Sequence, residues 1–313
     1  MSHKIKSRSA CVKFLASMRK QLLKWIQLGV SALFVYLFIK ELNVSELTDV
    51  LFSVRYSYLV LAMLFFVLSQ YLSSWRLLGV FRSFSFLLQP SSNHRLYVLG
   101  MFYNFFLPGG IGGDAYKAIK LQKTFDWSWK KLGKALVLDR AISLGALLCC
   151  LTLNDPNLLL PISWIWRIAL FLALIFIGRY ATQILFKSKA IYFKTLCWSF
   201  GVQIAQLLSV YCIAKALNIP QEFILPLLLV FLISAVASIV SFAGLGVREY
   251  LFLWSGTWLS TAPETTAAIG IWFTLLTAAV SFLGIYYLFF DKRLWLTRDN
   301  THETTPQSDE ALS

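Results

Sequence analysis

The chain has 313 residues, of which 58% are hydrophobic and only 14% are charged, and its mean hydropathy is +0.66. Soluble domains contain about 45–50% apolar and about 25% charged residues, so the composition excludes an ordinary soluble enzyme and predicts an all-α polytopic membrane protein. The net charge of +14 does not indicate a nucleic-acid partner. The lysines and arginines lie between apolar runs, where they set membrane topology.

Residues 1–21 form a basic segment that we expect in the cytoplasm. Seven lysines and arginines precede Trp25, and the apolar run after them ends at Lys40 without a small-x-small cleavage pattern. This run is therefore predicted to be an anchor helix and not a cleaved signal peptide.

Six apolar runs are long enough to span a bilayer, which takes roughly 20 residues. Two additional apolar regions, 95–123 and 224–260, contain glycine motifs, which brings the count to eight membrane segments. The six predicted spanning helices are residues 22–39, 57–75, 133–153, 158–178, 196–217 and 267–290.

The two glycine motifs resemble each other. Gly110-Ile-Gly-Gly-Asp-Ala-Tyr116 aligns with the later segment Gly244-Leu-Gly-Val-Arg-Glu-Tyr250, with the outer glycines and the tyrosine in register. Proline and several glycines cannot sustain a helix, and broken helices in membranes are tolerated where they line a cavity. The duplication therefore predicts a site built from two related halves.

The positive charges favour a re-entrant helical hairpin for each glycine region. With the N-terminus inside, this topology places 23 of the 29 lysines and arginines in cytoplasmic segments. The rival topology, in which the first region crosses fully, puts the lysines between Lys117 and Lys134 outside. The hairpins then enter from opposite faces, as in an inverted repeat. Residues 22–290 form the membrane domain, and 291–313 form a polar tail that is also cytoplasmic.

The first motif is predicted to bind an anionic lipid headgroup, because exposed amides at a helix N-terminus attract phosphate. Asp114 is expected to cap the following helix, and Lys117 is expected to attract the headgroup. A tight turn or close helix packing is the structural alternative for the glycines. The predicted binding residues of this motif are Asn104, Gly109, Gly110, Gly112, Gly113, Asp114 and Lys117.

Four charged residues elsewhere complete the predicted headgroup site, together with two glycines. Two adjacent charges, Asp139 and Arg140, cost roughly 5–7 kcal/mol if they face lipid, so we expect them to face the bundle interior or a water-filled cavity. Shallow placement near the cytoplasmic lysines is the alternative. Arg248 and Glu249 point in different directions on a helix; Glu249 is expected to contact the broken backbone and leave Arg248 for an anion. The glycines are Gly244 and Gly246.

The sequence predicts no catalytic residue, metal or cofactor. The five cysteines have no metal-ligand spacing, and the three histidines are scattered. Neither a serine triad nor a paired-carboxylate site is visible.

Four motifs together resemble the flippase-like membrane domain of lysylphosphatidylglycerol synthetases, including the small stand-alone proteins called UPF0104. The resemblance covers roughly residues 20 to 290. It implies that the chain translocates a membrane phospholipid or lipid-linked substrate across a bacterial inner membrane. The motifs are Asn104–Asp114, Val137–Arg140, Ser241–Glu249 and Trp75-Arg76.

The chain departs from the two-domain synthetases because no large soluble transferase follows the membrane part. Aminoacylation by this chain alone is therefore not expected. Two alternatives stay open. One is a membrane-embedded transferase that acts on a lipid phosphate, with Asp114, Asp139 or Glu249 as its base or metal ligand. The other is a non-catalytic partner of a separate lipid-modifying enzyme.

Overall fold

The fold is a bundle of helices, seen in a computed structural model. The residues that the structure describes are Gly29, 31–41, 43–106, 112–154, 163–186, 191–238, 246–289 and 294–296. Within these ranges the chain forms no β-strand beyond a single bridge between Leu88 and Leu296. The prediction of an all-α fold is confirmed.

Eleven helices follow one another along the described chain. The first, α1, covers residues 31–41. The others are α2 (Val44–Phe52), α3 (Tyr56–Ser83), α4 (Pro90–Phe106), α5 (Gly112–Phe125), α6 (Trp129–Asn154), α7 (Trp164–Phe186), α8 (Ile191–Ala216), α9 (Gln221–Ala237), α10 (Val247–Trp258) and α11 (Pro263–Phe289).

Five helices are long and apolar enough to cross a membrane, namely α3, α6, α7, α8 and α11. They correspond to five of the six predicted spanning helices, and α1 describes only part of the sixth. The chain is therefore a polytopic membrane protein. Helix α7 buries only Arg167 and Thr182 within the bundle, so most of its apolar surface is left for lipid.

The helix ends differ from the predicted ones near polar residues. Helix α3 was expected to end at Trp75 but continues to Ser83, because the charge of Arg76 is paired inside the bundle. Helix α7 was expected at 158–178 but covers Trp164–Phe186. It passes Arg179, whose guanidinium lies over the Phe193 ring.

Helices α3 and α8 form an antiparallel pair at the centre of the bundle. Ser209 Oγ donates a 2.8 Å hydrogen bond to the carbonyl of Ala62, and the amide of Arg55 donates to the carbonyl of Ala216 at 3.0 Å. The start of α3 therefore lies at the same end as the end of α8. We call this the Arg55 end, and the end where α3 finishes the Ser83 end.

The two glycine regions are helical hairpins that open at opposite ends of the bundle. Phe86, just before α4, stacks on Trp127, just after α5, with ring centroids 4.5 Å apart; the α4–α5 hairpin therefore opens at the Ser83 end. Pro220, just before α9, and Thr261, just after α10, line one cavity beside Leu217. The α9–α10 hairpin therefore opens at the Arg55 end.

The described part of the C-terminal tail lies at the Ser83 end. The amide of Gln89 donates to the carbonyl of Trp295 at 3.0 Å, and the amide of Trp295 donates to Ser92 Oγ at 2.7 Å. The loop between α3 and α4 and the segment after α11 therefore share one side of the protein. Residues 1–28 and 297–313 lie outside the described residues.

Candidate functional site

A buried ion pair joins α3 to α6. Arg76 Nε lies 2.9 Å from Asp139 Oδ1, and Arg76 Nη2 lies 3.0 Å from Oδ2, so the contact is bidentate. The two side chains are 8% and 11% exposed, and Arg76 Nη1 also donates to Ser199 Oγ at 3.4 Å. Both carboxylate oxygens of Asp139 are thereby engaged. In the sequence, Arg76 and Asp139 are visible only as charged residues in otherwise apolar runs, and nothing in the pattern indicates that they pair.

The α4–α5 break is closed by close backbone packing. A Cβ added to Gly113 would collide with the carbonyl of Gly100, and it would lie 2.8 Å from Asn104 Cγ. The amide of Gly113 donates a 2.8 Å hydrogen bond to Asn104 Oδ1. Asn104 therefore supplies, from the preceding helix, the acceptor that an N-terminal amide needs.

Asp114 lies within the first turn of α5, which begins at Gly112, and is therefore not the N-cap residue that was expected. Its carboxylate instead joins two cations through separate oxygens: Oδ1 lies 3.1 Å from Lys117 Nζ, and Oδ2 lies 2.8 Å from Arg140 Nε. The position is favourable because Asp114 is in the first turn of α5, where a negative charge interacts well with the helix dipole. We call Asp114, Lys117 and Arg140 the α5–α6 charge cluster.

The cluster carries one uncompensated positive charge. Lys117 and Asp114 are 6% and 13% exposed, whereas the side chain of Arg140 is 56% exposed. The hydrogen bond of Arg140 to the described residues uses Nε, which leaves the Nη1 and Nη2 edge open. An oxyanion can approach this edge without displacing Asp114.

Asp114 is an ionised counter-ion and not a proton donor. Each of its two oxygens accepts a hydrogen bond from a different cation, Lys117 and Arg140. Two positive charges this close favour the charged form of a carboxyl group, and hydrogen bonds between ionised groups are the strong ones. The carboxylate is therefore held in place as part of the cluster.

Aromatic rings of α4 and α5 surround the lysine side of the cluster. Lys117 Nζ lies 4.8 Å from the centroid of the Tyr97 ring, within the range of a cation–π interaction. Tyr103 and Tyr116 stack with centroids 4.2 Å apart. These contacts fix α5 against α4 next to the break.

The cluster lies well away from the Ser83 ends of α5 and α6. Asp114 and Arg140 are on α5 and α6, and each lies about three helical turns, or roughly 16 Å, from the Ser83 end of its helix. Helix α6 begins four residues earlier than predicted, at Trp129, so Arg140 lies deeper than the sequence suggested.

After the second break, α10 begins with a cap supplied by one side chain, that of Glu249. Gly246 has φ of 82°, a conformation that favours glycine, and its amide donates to Glu249 Oε2 at 2.8 Å. Thr274 Oγ1 of α11 donates to Glu249 Oε1 at 2.6 Å. The structure therefore agrees with the expectation that Glu249 contacts the broken backbone.

Helix α1 covers this second break. A Cβ at Gly246 would lie 2.9 Å from the Val35 amide nitrogen and 3.1 Å from the Ser31 carbonyl oxygen. Phe34 also meets Tyr250 edge to face, with centroids 5.5 Å apart.

Arg248 points away from Glu249 into an aromatic setting. Its guanidinium carbon lies 4.6 Å from the Phe273 ring centroid and 5.7 Å from that of Phe231. Its Nε is buried, and the part of the chain that the structure describes gives this atom no hydrogen-bond partner. Its position is nearly three turns before the end of α10, roughly 15 Å from the Arg55 end.

The predicted residues thus fall into two groups. The first group comprises the α5–α6 charge cluster together with Asn104, Gly112 and Gly113. Asp139 lies beside this group, where its carboxylate is bound by Arg76. The other comprises Gly246, Arg248 and Glu249. Gly109, Gly110 and Gly244 lie outside the described residues. Within the described ranges, no three His, Cys, Asp or Glu side chains are grouped so as to hold a metal.

Comparison with known proteins places this architecture in a family. The family model described as the lysylphosphatidylglycerol synthase TM region matches residues 24–195. The match covers more than half of the chain, from the first apolar run to the start of α8, and it includes the first break and the charge cluster. No curated protein matches the chain. The chain therefore belongs to the lysylphosphatidylglycerol synthase TM region family and is a multi-pass integral membrane protein that acts on lipids.

Proposed function

We propose that the protein translocates a phospholipid or lipid-linked anion across the membrane, and that the α5–α6 charge cluster binds the headgroup. The observation that carries this proposal is Arg140, an open cationic edge about three turns from the start of an apolar helix and beside a broken one. A charge at this depth is costly and is usually functional.

The cluster suits reversible binding of a phosphate group. Arginine offers two parallel donors to a phosphate, and Arg140 has Nη1 and Nη2 available. Asp114 leaves the cluster with a net charge of +1 rather than +2. A lower charge weakens the hold on the anion, as transport requires, since a headgroup that binds too tightly is not released.

The opposed hairpins support alternating access. One hairpin opens at the Ser83 end and the other at the Arg55 end, an arrangement expected of inverted repeats whose breaks face a common midplane. In this proposal the headgroup moves along the hairpins while the acyl chains stay in lipid. The membrane is a bacterial inner membrane, and both termini of the protein lie in the cytoplasm.

The contacts of the carboxylates favour transport over the alternative of a lipid-phosphate transferase. Asp139 is held by Arg76, Asp114 by Lys117 and Arg140, and Glu249 by Gly246 and Thr274. A general base needs a free acceptor within reach of the substrate. Each of the three carboxylates already accepts a hydrogen bond from a cationic side chain or a backbone amide.

Reconstituted vesicles test the proposal. The wild type is expected to move acyl-labelled fluorescent phosphatidylglycerol between leaflets, measured by the fraction that a membrane-impermeant quencher reaches with time. Arg140→Gln should slow this exchange at least tenfold, because it removes the charge that binds phosphate. Lys134→Gln is the matched control, since Lys134 lies on the same helix and is exposed. Equal rates for Arg140→Gln and the wild type would rule the mechanism out.

The third hypothesis, a non-catalytic partner of a separate lipid-modifying enzyme, predicts a different result. Purified protein would then give no exchange above empty vesicles, and exchange or modification would require a second purified component.

A further inference from the structure

Arg248 forms no close ion pair with a carboxylate of the described residues, although the charge of Glu249 acts on it through space. Glu249, next to it in sequence, is committed to Gly246 and Thr274. The Nε atom of Arg248 is buried without a hydrogen-bond partner in the described ranges. Arg248 as a whole is half-buried, but a buried donor atom without a hydrogen-bond partner is unfavourable, so this arrangement needs an explanation.

The surroundings of Arg248 stabilise the guanidinium only in part. Phe273 and Phe231 offer cation–π contacts at 4.6 and 5.7 Å, and Phe66 meets Phe273 edge to face at 5.3 Å. Ring faces attract a cation but accept no conventional hydrogen bond from its N–H groups. The rings therefore leave the planar donor fork free for a bidentate oxyanion.

A cavity of about 340 Å³ lies between this position and the Arg55 end. Two of its lining residues, Leu227 and Thr266, are one helical turn before residues that contact Arg248. Leu227 lies one turn before Phe231 on α9, and the Phe231 ring contacts the Arg248 guanidinium. Thr266 lies one turn before Gly270 on α11, and a Cβ added to Gly270 would lie 3.5 Å from the Arg248 carbonyl oxygen. One turn is about 5.4 Å, so the cavity ends about one turn short of Arg248.

We propose that Arg248 forms a second phosphate-binding site, reached from the Arg55 end and separate from the α5–α6 charge cluster. The two sites differ chemically. Arg140 shares its charge with Asp114, whereas Arg248 has aromatic neighbours and no described carboxylate bound to it. The phosphate that binds is part of either a lipid headgroup or a free phosphate ion. Binding of a lipid headgroup depends on the proposed translocation function, whereas binding of a free phosphate ion does not.

The number of phosphates bound per protein tests this inference. In native mass spectrometry of the full chain with dioctanoyl phosphatidylglycerol, we expect up to two bound lipids for the wild type. Arg248→Met and Arg140→Gln should each retain one, and the double variant none. Dioctanoylglycerol, which lacks phosphate, should not bind at these sites. Arg179→Met is the matched control, because Arg179 also lies over a phenylalanine ring but is exposed.

A second measurement separates binding from folding. Methionine keeps an apolar stem and removes the unpaired charge, so the Tm of Arg248→Met without ligand should rise by about 2–4 °C. A marked fall in Tm would show that Arg248 has a structural partner and would overturn the proposal. Two lipids bound to Arg248→Met, or none bound to Arg140→Gln, would also overturn it.

Inorganic phosphate distinguishes the two sources. If phosphate competes with the lipid that remains on Arg140→Gln, the second site accepts a free anion; if it does not, the site requires a lipid. Either result supports a phosphate site at Arg248. The two hypotheses can fail separately. If the wild type moves no lipid in vesicles, the proposed translocation is wrong. If Arg248→Met nevertheless binds one phosphate-bearing molecule fewer than the wild type, the second site is still supported.

Discussion

At the residue scale, the two adjacent charges Asp139 and Arg140 have different roles. Asp139 is bound at both oxygens by Arg76, while Arg140 extends toward the outside of the bundle with a side chain that is 56% exposed. The pair was predicted to act together on a headgroup. The geometry instead makes Asp139 a fixed support and Arg140 the residue with open donors.

The Arg76–Asp139 pair predicts a large stability effect. Asp139→Asn should destabilise the protein by about 3–5 kcal/mol, because it leaves the buried Arg76 charge uncompensated. Thermal unfolding in detergent measures this loss. Replacing both partners, as Arg76→Met with Asp139→Leu, should recover most of it, since neither charge then remains.

Arg82→Met is the control for that experiment, since Arg82 lies on the same helix and is exposed; its effect should stay within about 0.5 kcal/mol. A double variant that is less stable than Asp139→Asn would contradict the interpretation of the pair as a self-contained unit.

At the element scale, the first hairpin depends on contact between two glycines. Gly113 lies so close to Gly100 that a Cβ has no room. Gly113→Ala should therefore destabilise the protein by about 1–3 kcal/mol, the usual cost of overpacking. Gly133→Ala on α6 is the matched control, because nothing lies within 4 Å of its added Cβ.

The control should be neutral or stabilising by up to about 1 kcal/mol, since alanine is the better helix former. Thermal unfolding of both variants gives the comparison. Equal Tm values for the two would show that α4 and α5 are not held together at this point.

The sequence predicted these elements better than it predicted their contacts. Apolar runs identified the five long helices, because lipid demands about 20 apolar residues per span. The hydropathy pattern placed the end of α3 at residue 75, two turns too early. It did so because a hydropathy scale counts Arg76 as a charge exposed to water or lipid. Only the fold brings Asp139 to it from a distant part of the chain.

The candidate site was predictable in residue types but not in roles. Glycines, an asparagine and charges in apolar sequence pointed to the right segments. Asn104 was expected to bind a headgroup, yet its oxygen accepts from the Gly113 amide. The aromatic neighbours of Arg248, Phe231 and Phe273, gave no signal, because phenylalanines in apolar helices are ordinary.

At the scale of the whole molecule, the opposed hairpins predict which loops share a side of the membrane. Ser128 lies at the Ser83 end and Ala262 at the Arg55 end, and both are exposed. In a cysteine-free background, Ser128→Cys and Ala262→Cys should react with a membrane-impermeant maleimide from opposite sides. We expect Ala262→Cys to react in intact cells and Ser128→Cys only after the membrane is opened.

Labelling of both positions from one side would contradict the hairpin topology, because the α9–α10 region, which lies between them in the chain, would then have to cross the membrane fully. A third position, Ser53→Cys, precedes α3 and should behave like Ala262→Cys. Its reaction from the same side as Ser128→Cys would mean that the α4–α5 region crosses the membrane fully.

The contact of α1 with Gly246 has a consequence for the order in which the protein assembles. Val35 and Gly246 touch in the fold although most of the chain separates them in the sequence. At about 5–20 residues per second, a ribosome needs roughly 10–40 s to make the chain between them. The first helix is therefore in the bilayer long before the surface that it covers has been synthesised, and the contact between these two distant parts of the chain forms late in biogenesis.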